Sequence, residues 1–541
     1  MEKEIKRRSF IRTSSAFAFG LSALKPGFSS FTVSDSRGKL PYKMIYDDDS
    51  VNIFPSTEPA RAEHIDKYID KVVEGGADLY LQCAGYHRVF YQSRVWEPWW
   101  DEYKERGTIF GKKVEDGWIN ASPFAQLADK GIDFLEQSLT RCRYRGIASG
   151  LTMRMDDLHY RGPSLGKHTI NERLARFYMN EDNYLHDTGR HGGGWALNYD
   201  KPEVREHYLS LFRELVERYD FDVLSLDYLR HPPYFDRKDI DRHCETMTGF
   251  LREIHKIFKS SGKNISLLAR VPSTPANCKE QGLDIAEWAR EGLVSGVAPG
   301  MKNCTGWEIP VDAFRSVVGE GVSVYAANER QAGRTALVNI SEDAGEGNSA
   351  TRWNRELFRG YAAGHLANGA DGIYLFNFFL GYLPLIDILG EMKSLEGLRG
   401  KSKAYRLTTY GSTHAVEVDL PMQVPVIVPA RQARKFEILL AREPEGVQAE
   451  AIVTLDRKPL PEEMWLQLNE TPLGHASIIV EEQKKSRYYS WDNILKGTTE
   501  VVFSVPAMAL KDGRNRLVFR NEGEQVTVLG IAIRTGSSLP G

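Results

Sequence analysis

The sequence predicts a (β/α)8 TIM barrel followed by a C-terminal all-β sandwich, on three observations. Short apolar strands alternate with amphipathic helices eight times between residues 43 and 398. Glycines stand where the helices should stop, at Gly75-Gly76, Gly146, Gly262, Gly292, Gly321 and Gly369. Polar and charged residues collect at the C-terminal ends of the strands and not at the opposite ends, the asymmetry of a barrel with a working rim. A doubly wound sheet would use the same units, but a count of eight favours the closed barrel.

In chain order, strand one is predicted near Lys43–Tyr46, with a helix over Glu63–Glu74. Strand two covers Asp78–Cys83 and its helix Pro123–Arg145. Strand three covers Ile147–Arg154, and a long excursion reaches Asp200. The clearest unit follows, over Lys201–Pro233. Asp200 is placed to cap a helix, Pro202 suits its first turn, and Glu203 favours the positive end of its dipole. Tyr208, Leu211, Phe212, Leu215, Val216 and Tyr219 then recur at three- and four-residue spacing. After Asp220 the period becomes two: Leu224 and Leu226 face the helices, while Ser225 and Asp227 face inward. Strand four is therefore Phe221–Asp227. Strands five to eight are expected at Ile265–Val271, Val294–Ala298, Val322–Ala327 and Gly372–Phe376. A helix is expected at Asp241–Lys259 after strand four, and at Asp284–Glu291, Val311–Val318, Arg352–Asn368 and Leu385–Leu398 after strands five to eight.

Near Lys401 the texture changes. KFEILLA, AEAIVTL, MWLQLN, HASIIVE, EVVFSV, RNRLVFRN and TVLGIAIRT read as short strands, with Pro421, Pro425 and Pro429 as punctuation and Lys511–Arg514 as a tight turn. The expected organisation is an export segment over 1–35, a barrel over 40–400 and a sandwich over 405–541. Lys6-Arg7-Arg8-Ser9-Phe10-Ile11-Arg12, followed by a mild apolar run from Ala16 to Leu24, resembles a twin-arginine export signal, which implies a periplasmic destination. That run is too short and too rich in Ser and Gly to span a membrane.

At 541 residues the chain exceeds a single ordinary core. It is 42% hydrophobic and 26% charged, the balance of a globular protein. A net charge of −3 argues against nucleic acid or an anionic membrane surface as a general partner. Five cysteines are widely spaced with no C-x-x-C, so the sequence specifies neither a disulfide framework nor a zinc site, and it calls for no metal or cofactor.

Rim candidates can be collected strand by strand. Asp47-Asp48-Asp49 follow strand one, and Tyr86-His87-Arg88 follow strand two. Strand three ends in Arg154, Asp156, Asp157 and His159; strand four in Asp227, Tyr228, Arg230 and His231. Arg270 closes strand five, Glu329 and Arg330 strand seven, Asn377 strand eight. Glycoside hydrolysis needs one carboxyl to protonate the leaving oxygen and another to attack the anomeric carbon or activate water. Asp227 and Glu329, across the mouth from each other, are the expected catalytic pair. Asp48, His87, Arg154, Asp156, Asp157, His159, Trp195, Tyr228, Arg230, Arg270 and Asn377 are expected to bind substrate. Trp96, Trp99 and Trp100, together with Trp195, offer flat faces of the kind that pack on pyranose rings. Each assignment has a structural counterpart: a solvated turn for the Asp triplet, a buried ion pair with Arg230 or Arg270 for Asp227, a packing role for His159, a loop core for the tryptophans.

Leu197-Asn198-Tyr199-Asp200, Pro202-Glu203-Val204-Arg205, Tyr219-Asp220-Phe221-Asp222-Val223 and Leu226-Asp227-Tyr228-Leu229-Arg230-His231-Pro232 resemble the glycosyl-hydrolase-like TIM barrels of polysaccharide-degrading bacteria. The resemblance is specific over Leu197–Pro233 and extends across 43–400. It implies a (β/α)8 fold and an oligo- or polysaccharide substrate. Where that family often carries two acidic residues, this chain has Asp227-Tyr228. Better-known retaining barrels place Asn-Glu at the end of strand four and Glu at the end of strand seven, and only Glu329 matches. A sugar-acid lyase or isomerase with His159 or His231 as base, and a non-catalytic carbohydrate-binding barrel, are the competing readings. His87, Arg88, Arg154, His159, Arg161, Arg190, His191, Arg230, His231, Arg270 and Arg330 at the rim further suggest an acidic saccharide, because guanidinium matches carboxylate and sulfate in a bidentate way.

Overall fold

Eight parallel strands close on themselves in the computed structural model. It describes residues 38–537 apart from 51–52, 56–57, 102–107, 110–111, 114–121, 158–174, 186–195, 237–238, 303–304, 330–331, 335–349, 352, 379–382, 410–419 and 482–497. The export segment predicted over 1–35 lies outside the described residues. Among those described, no helix is long and apolar enough to cross a membrane.

The strands are β1 (Met44–Asp48), β2 (Leu79–Cys83), β3 (Ala148–Arg154), β4 (Val223–Asp227), β5 (Ser266–Val271), β6 (Gly296–Pro299), β7 (Ser323–Asn328) and β8 (Gly372–Phe376). Each pairs with its sequence neighbours, and β8 returns to β1. The principal helices behind them are α1 (Ala62–Gly75), α2 (Phe134–Arg145), α3 (Pro202–Arg218), α4 (Ile240–Ser261), α5 (Ile285–Arg290), α6 (Val311–Val318) and α7 (Arg355–Ala367). The apolar stripe on α3 is the one the spacing predicted: Tyr208, Leu211, Phe212, Leu215 and Val216 are all buried.

Three helix boundaries differ from expectation. The helix expected over Pro123–Arg145 is two, because Gly131 takes a left-handed φ of 72° and Asp133 caps α2 by accepting the N–H groups of Leu135 and Glu136. Asp200 does not cap α3; its carboxylate takes Arg242 at 2.8–2.9 Å instead. The helix expected over Leu385–Leu398 is two single turns, Ile388–Glu391 and Leu395–Leu398, the second capped by Ser394.

Beyond the barrel stand two antiparallel sheets. Their strands are β9 (Lys403–Arg406), β10 (Val426–Val428), β11 (Gln432–Leu440), β12 (Gln448–Leu455), β13 (Met464–Leu468), β14 (Thr471–His475), β15 (Ile478–Glu481), β16 (Thr499–Val505), β17 (Gly513–Asn521) and β18 (Val526–Gly536). One sheet runs β9-β18-β12-β16-β15 with β10 beside β18, and the other runs β11-β17-β13-β14. The sequence had not marked β9, β10 and β14, which are short or contain Pro and Gly.

The sandwich rests on α7. A side chain at Gly360 would collide with the carbonyl of Ala404, and one at Gly364 would meet Leu439 O at 3.0 Å. Ion pairs rim this contact: Arg534 to Glu356 at 3.1 Å and Arg514 to Asp312 at 2.7 Å. Replacing Gly360 by Ala should help the isolated helix by roughly 0.5–1 kcal/mol. Overpacking against Ala404 costs about 1–3 kcal/mol and should win. The expected outcome of Gly360→Ala is a lower midpoint in urea denaturation, and an unchanged or raised midpoint would refute the close contact.

Candidate active site

Strand parity decides what the barrel holds. Ile45, Leu79, Leu81, Val223, Leu268, Ala298, Tyr325, Ala327, Tyr374 and Phe376 form an apolar interior, with Leu40 packed among them. Continuing the alternation toward the C-terminal ends brings Asp47, Asp49, Arg154, Asp227, Arg270 and Glu329 to the mouth, each 5% exposed or less.

Two guanidiniums organise these groups. Arg270 donates from Nη1 to Asp227 Oδ2 at 3.0 Å and from Nη2 to Glu329 Oε1 at 2.6 Å. Arg154 donates from Nη2 to Asp49 Oδ2 at 2.5 Å and from Nη1 to Asp157 Oδ2 at 2.6 Å. An aromatic ring covers a face of each: Phe376 lies 3.9 Å from Arg270 Cζ, and Tyr86 lies 3.9 Å from Arg154 Cζ. Burial alone would lower the Arg270 guanidinium, but the charges of Asp227 and Glu329 outweigh it and hold it above its ordinary value.

Backbone groups fix the rest. Asp227 Oδ1 accepts Leu229 N–H at 2.9 Å. The peptide of Glu329 is held on both sides: its N–H donates to Thr305 Oγ1 at 3.0 Å, and its carbonyl accepts Trp353 Nε1 at 2.8 Å. Asn377, at a left-handed φ of 56°, donates to Asp49 Oδ2 at 2.7 Å. Tyr374 OH donates to Asp47 Oδ2.

The expected site residues separate on these facts. Asp227, Glu329, Arg154, Asp157, Arg270 and Asn377 come together in the mouth. Arg230 is half-buried; burial and the Arg154 charge lower its guanidinium against the pull of Glu329, Asp49 and Asp157. Asp48 takes the opposite parity: β1 runs on to Asp48, and alternation puts it on the face of Met44 and Tyr46. It shares the helix-facing side with Tyr46 and accepts Ser50 N–H at 2.6 Å. Its neighbours Asp47 and Asp49 are the inward pair that sequence reasoning passed over. Continuing the inward alternation from Ile45 would have found them.

Tyr228 likewise faces outward, its ring against Tyr234 and Trp288 and its hydroxyl 3.5 Å from Met247 Sδ, so it is a packing residue. Asp156 ties down the backbone, accepting Asp157 N–H at 2.9 Å and Leu197 N–H at 3.3 Å. His87 is enclosed by Trp99 and Tyr178. Trp96, Trp99 and Trp100 are at most 5% exposed, and Trp96 stacks on His207 at 4.1 Å, so they form a loop core and no sugar platform. His159, Trp195, Arg161, Arg190, His191 and Arg330 lie outside the described residues.

No protein-family model matches the sequence, and no curated protein matches it. Among solved structures the chain is similar to alpha-L-fucosidase isoenzyme 2 from Paenibacillus thiaminolyticus, with a TM-score of 0.42 and 11% identity over 65% of this chain and 48% of that one. The chain therefore spans about half the length of that fucosidase. It is also similar to the PgaB (BpsB) glycoside hydrolase domain from Bordetella bronchiseptica, with a TM-score of 0.41 and 12% identity over 65% of this chain and 99% of that one. A third is the noncanonic maltogenic alpha-amylase AmyB from Thermotoga neapolitana, with a TM-score of 0.35 and 11% identity over 86% and 98%.

Asp48 supplies a pH test of the parity assignment. Burial pushes its carboxyl up to about 7, against the pull of Tyr68 and Ser50. A carboxyl raised in the folded state binds its proton more tightly there than in the unfolded chain. Its stabilising effect is thus present at acid pH and lost as pH rises through about 7. His207 and His365, lowered to about 3 by burial, work in the opposite sense, so only a difference is diagnostic. Urea denaturation between pH 4 and 8 should show wild-type stability falling relative to Asp48→Asn as pH rises. Parallel curves would place Asp48 in solvent.

Proposed function

We propose that this protein is a glycoside hydrolase whose site is the barrel mouth, with Asp227 as the carboxylate that bonds to the anomeric carbon. The observation that carries this reading is the convergence of Asp227 from β4 and Glu329 from β7 on one guanidinium, Arg270. The Leu229 N–H and Arg270 both donate to Asp227 and fix the direction of its carboxyl group. Glu329, on the other arm of Arg270, completes the carboxylate pair and fixes the guanidinium that orients Asp227.

The substrate we infer is a neutral oligo- or polysaccharide. Of the rim cations, Arg154 and Arg270 face inward by strand parity, and each is occupied by two carboxylates. An added uronate would have to displace a 2.5–3.0 Å ion pair to reach either. The same pairing favours one second reading, a barrel that binds sugar without cleaving it, because most charge in the mouth is internally satisfied. The export segment over 1–35 remains part of the proposal, and with it a periplasmic site of action.

Asp227→Asn separates the readings. It preserves shape and the Leu229 contact but removes the nucleophile. Turnover of neutral aryl glycosides or oligosaccharides should fall by about 10³-fold or more in a variant that still folds, its melting temperature lowered because Arg270 keeps only Glu329 as a charged partner. Retained turnover would remove Asp227 from the chemistry. Calorimetric binding of the same sugars without turnover by the wild type would support the non-catalytic barrel, and an unsaturated product absorbing in the ultraviolet would indicate a lyase.

A further inference from the structure

Among the described residues five inward or rim carboxyls meet in the mouth, and Arg154 and Arg270 are each in direct contact with two of them. Asp49 and Asp157 share Arg154, and Asp227 and Glu329 share Arg270. Asp47 is left over. Its inward parity places it in the same mouth, yet among the described residues no cation lies within ion-pair distance of it. Oδ2 accepts the Tyr374 hydroxyl, and buried Oδ1 has no hydrogen-bond partner among the described residues.

We propose that Asp47 is the proton donor of this site, held neutral with its proton on Oδ1 and delivering it to the leaving-group oxygen. The inference rests on the hydrolase reading above and deepens it by assigning the acid. A carboxylate with neither water nor a cation is costly to bury, whereas a carboxylic acid is not. Burial pushes the Asp47 carboxyl well above the usual range; the Tyr374 bond opposes this, the charges of Asp49 and Asp227 add to it, and Arg270 offsets part. Asp227 and Glu329 both lie against the Arg270 guanidinium, whereas Asp47 has no such contact among the described residues. Two acidic groups in contrasting environments are what acid–nucleophile division of labour requires.

The step balances. Asp227 bonds to the anomeric carbon as the glycosidic C–O bond breaks, its electron pair passing to the leaving oxygen, which takes the Asp47 proton. Water then attacks the anomeric carbon and gives one proton to Asp47, while the bond to Asp227 breaks and its pair returns to that carboxylate. One water is consumed and both side chains are restored.

The test uses Asp47→Asn, which keeps the shape and can still accept from Tyr374 but carries no transferable proton. With methyl glycosides of the sugar the wild type hydrolyses, kcat/KM should fall about 10²–10⁴-fold. With 2,4-dinitrophenyl glycosides, whose leaving group needs no proton, formation of the glycosyl-enzyme should be nearly unaffected, whereas Asp227→Asn should lose both. Independently of turnover, the wild type at neutral pH should show an infrared carbonyl band of a protonated carboxyl that Asp47→Asn lacks. Equal losses on both leaving groups, wild-type rates on methyl glycosides, or absence of the infrared band would each overturn the proposal while leaving the role of Asp227 standing. A wild type that hydrolyses no glycoside would overturn both.

Discussion

A guanidinium taken out of water has to be answered by carboxylates, and the mouth of this barrel meets that constraint twice. Arg154 and Arg270 are 3% exposed or less, and each has two acidic partners on its edge and a ring on its face. Breaking such an arrangement by deleting one partner costs about 3–5 kcal/mol, yet replacing the whole of it by well-packed apolar side chains is often neutral or favourable. The barrel floor directly beneath, from Leu79 to Tyr325, is apolar and needs no such matching. Stability alone therefore gives no reason for a switch from hydrocarbon to charge at the level of Asp47, Arg154, Asp227 and Arg270. The chemical use proposed for that layer supplies one.

What the sequence made legible was local. The period-two alternation of Leu224, Ser225, Leu226 and Asp227 places Asp227 inward without knowledge of any other strand, and the same logic handles Arg154 and Arg270. The eight units, the apolar stripe on α3 and the change to short strands near Lys401 are local patterns too. What stayed hidden was pairing across the chain. Asp49 finds Arg154 over a separation of 105 residues and Asn377 over 328. No nearby residue signals either contact. The misplacement of Asp48 came from not carrying the alternation of β1 past Tyr46, since Asp48 shares the parity of Met44 and Tyr46. Tyr228 was misread in the opposite way, because its neighbour Asp227 drew attention to a position whose own parity is outward. The tryptophans after β2 were legible both as sugar platforms and as a loop core, and the choice between the two depends on His207 of α3 arriving from elsewhere.

Charge in the mouth also bears on the kind of ligand it suits. With Asp49, Asp157, Asp227 and Glu329 set against two arginines, and Arg230 half-buried nearby, the layer carries no spare buried cation among the groups shown to converge. Hydroxyl groups can bond to the remaining lone pairs of such carboxylates without disturbing an ion pair, whereas a second set of anions would compete for the same guanidinium edges. A rim rich in arginine is therefore not by itself an anion site. The number of carboxylates already bound to each guanidinium decides the matter.

The sandwich enters this picture through one loop. Thr305 bonds to both ends of the Glu329 peptide, at 3.0 Å to its N–H and 3.3 Å to its carbonyl. Two residues on, Trp307 N–H donates to Thr408 Oγ1 at 2.9 Å and Trp307 Nε1 to Ala332 O at 2.7 Å. Glu308 accepts Thr408 N–H at 3.0 Å and Thr408 Oγ1 at 2.5 Å. The segment that follows β9 thus grips the barrel loop that holds the backbone of Glu329, and Glu329 holds Arg270. Reacting groups must be placed to within a fraction of an ångström, and a rim loop alone is the least rigid part of a barrel. A second domain bonded to that loop by four hydrogen bonds limits its freedom at the point where position matters. The tight seam at Gly360 and the chain of bonds to Glu329 are then parts of one support, which runs from the sandwich through the barrel wall to the charged layer.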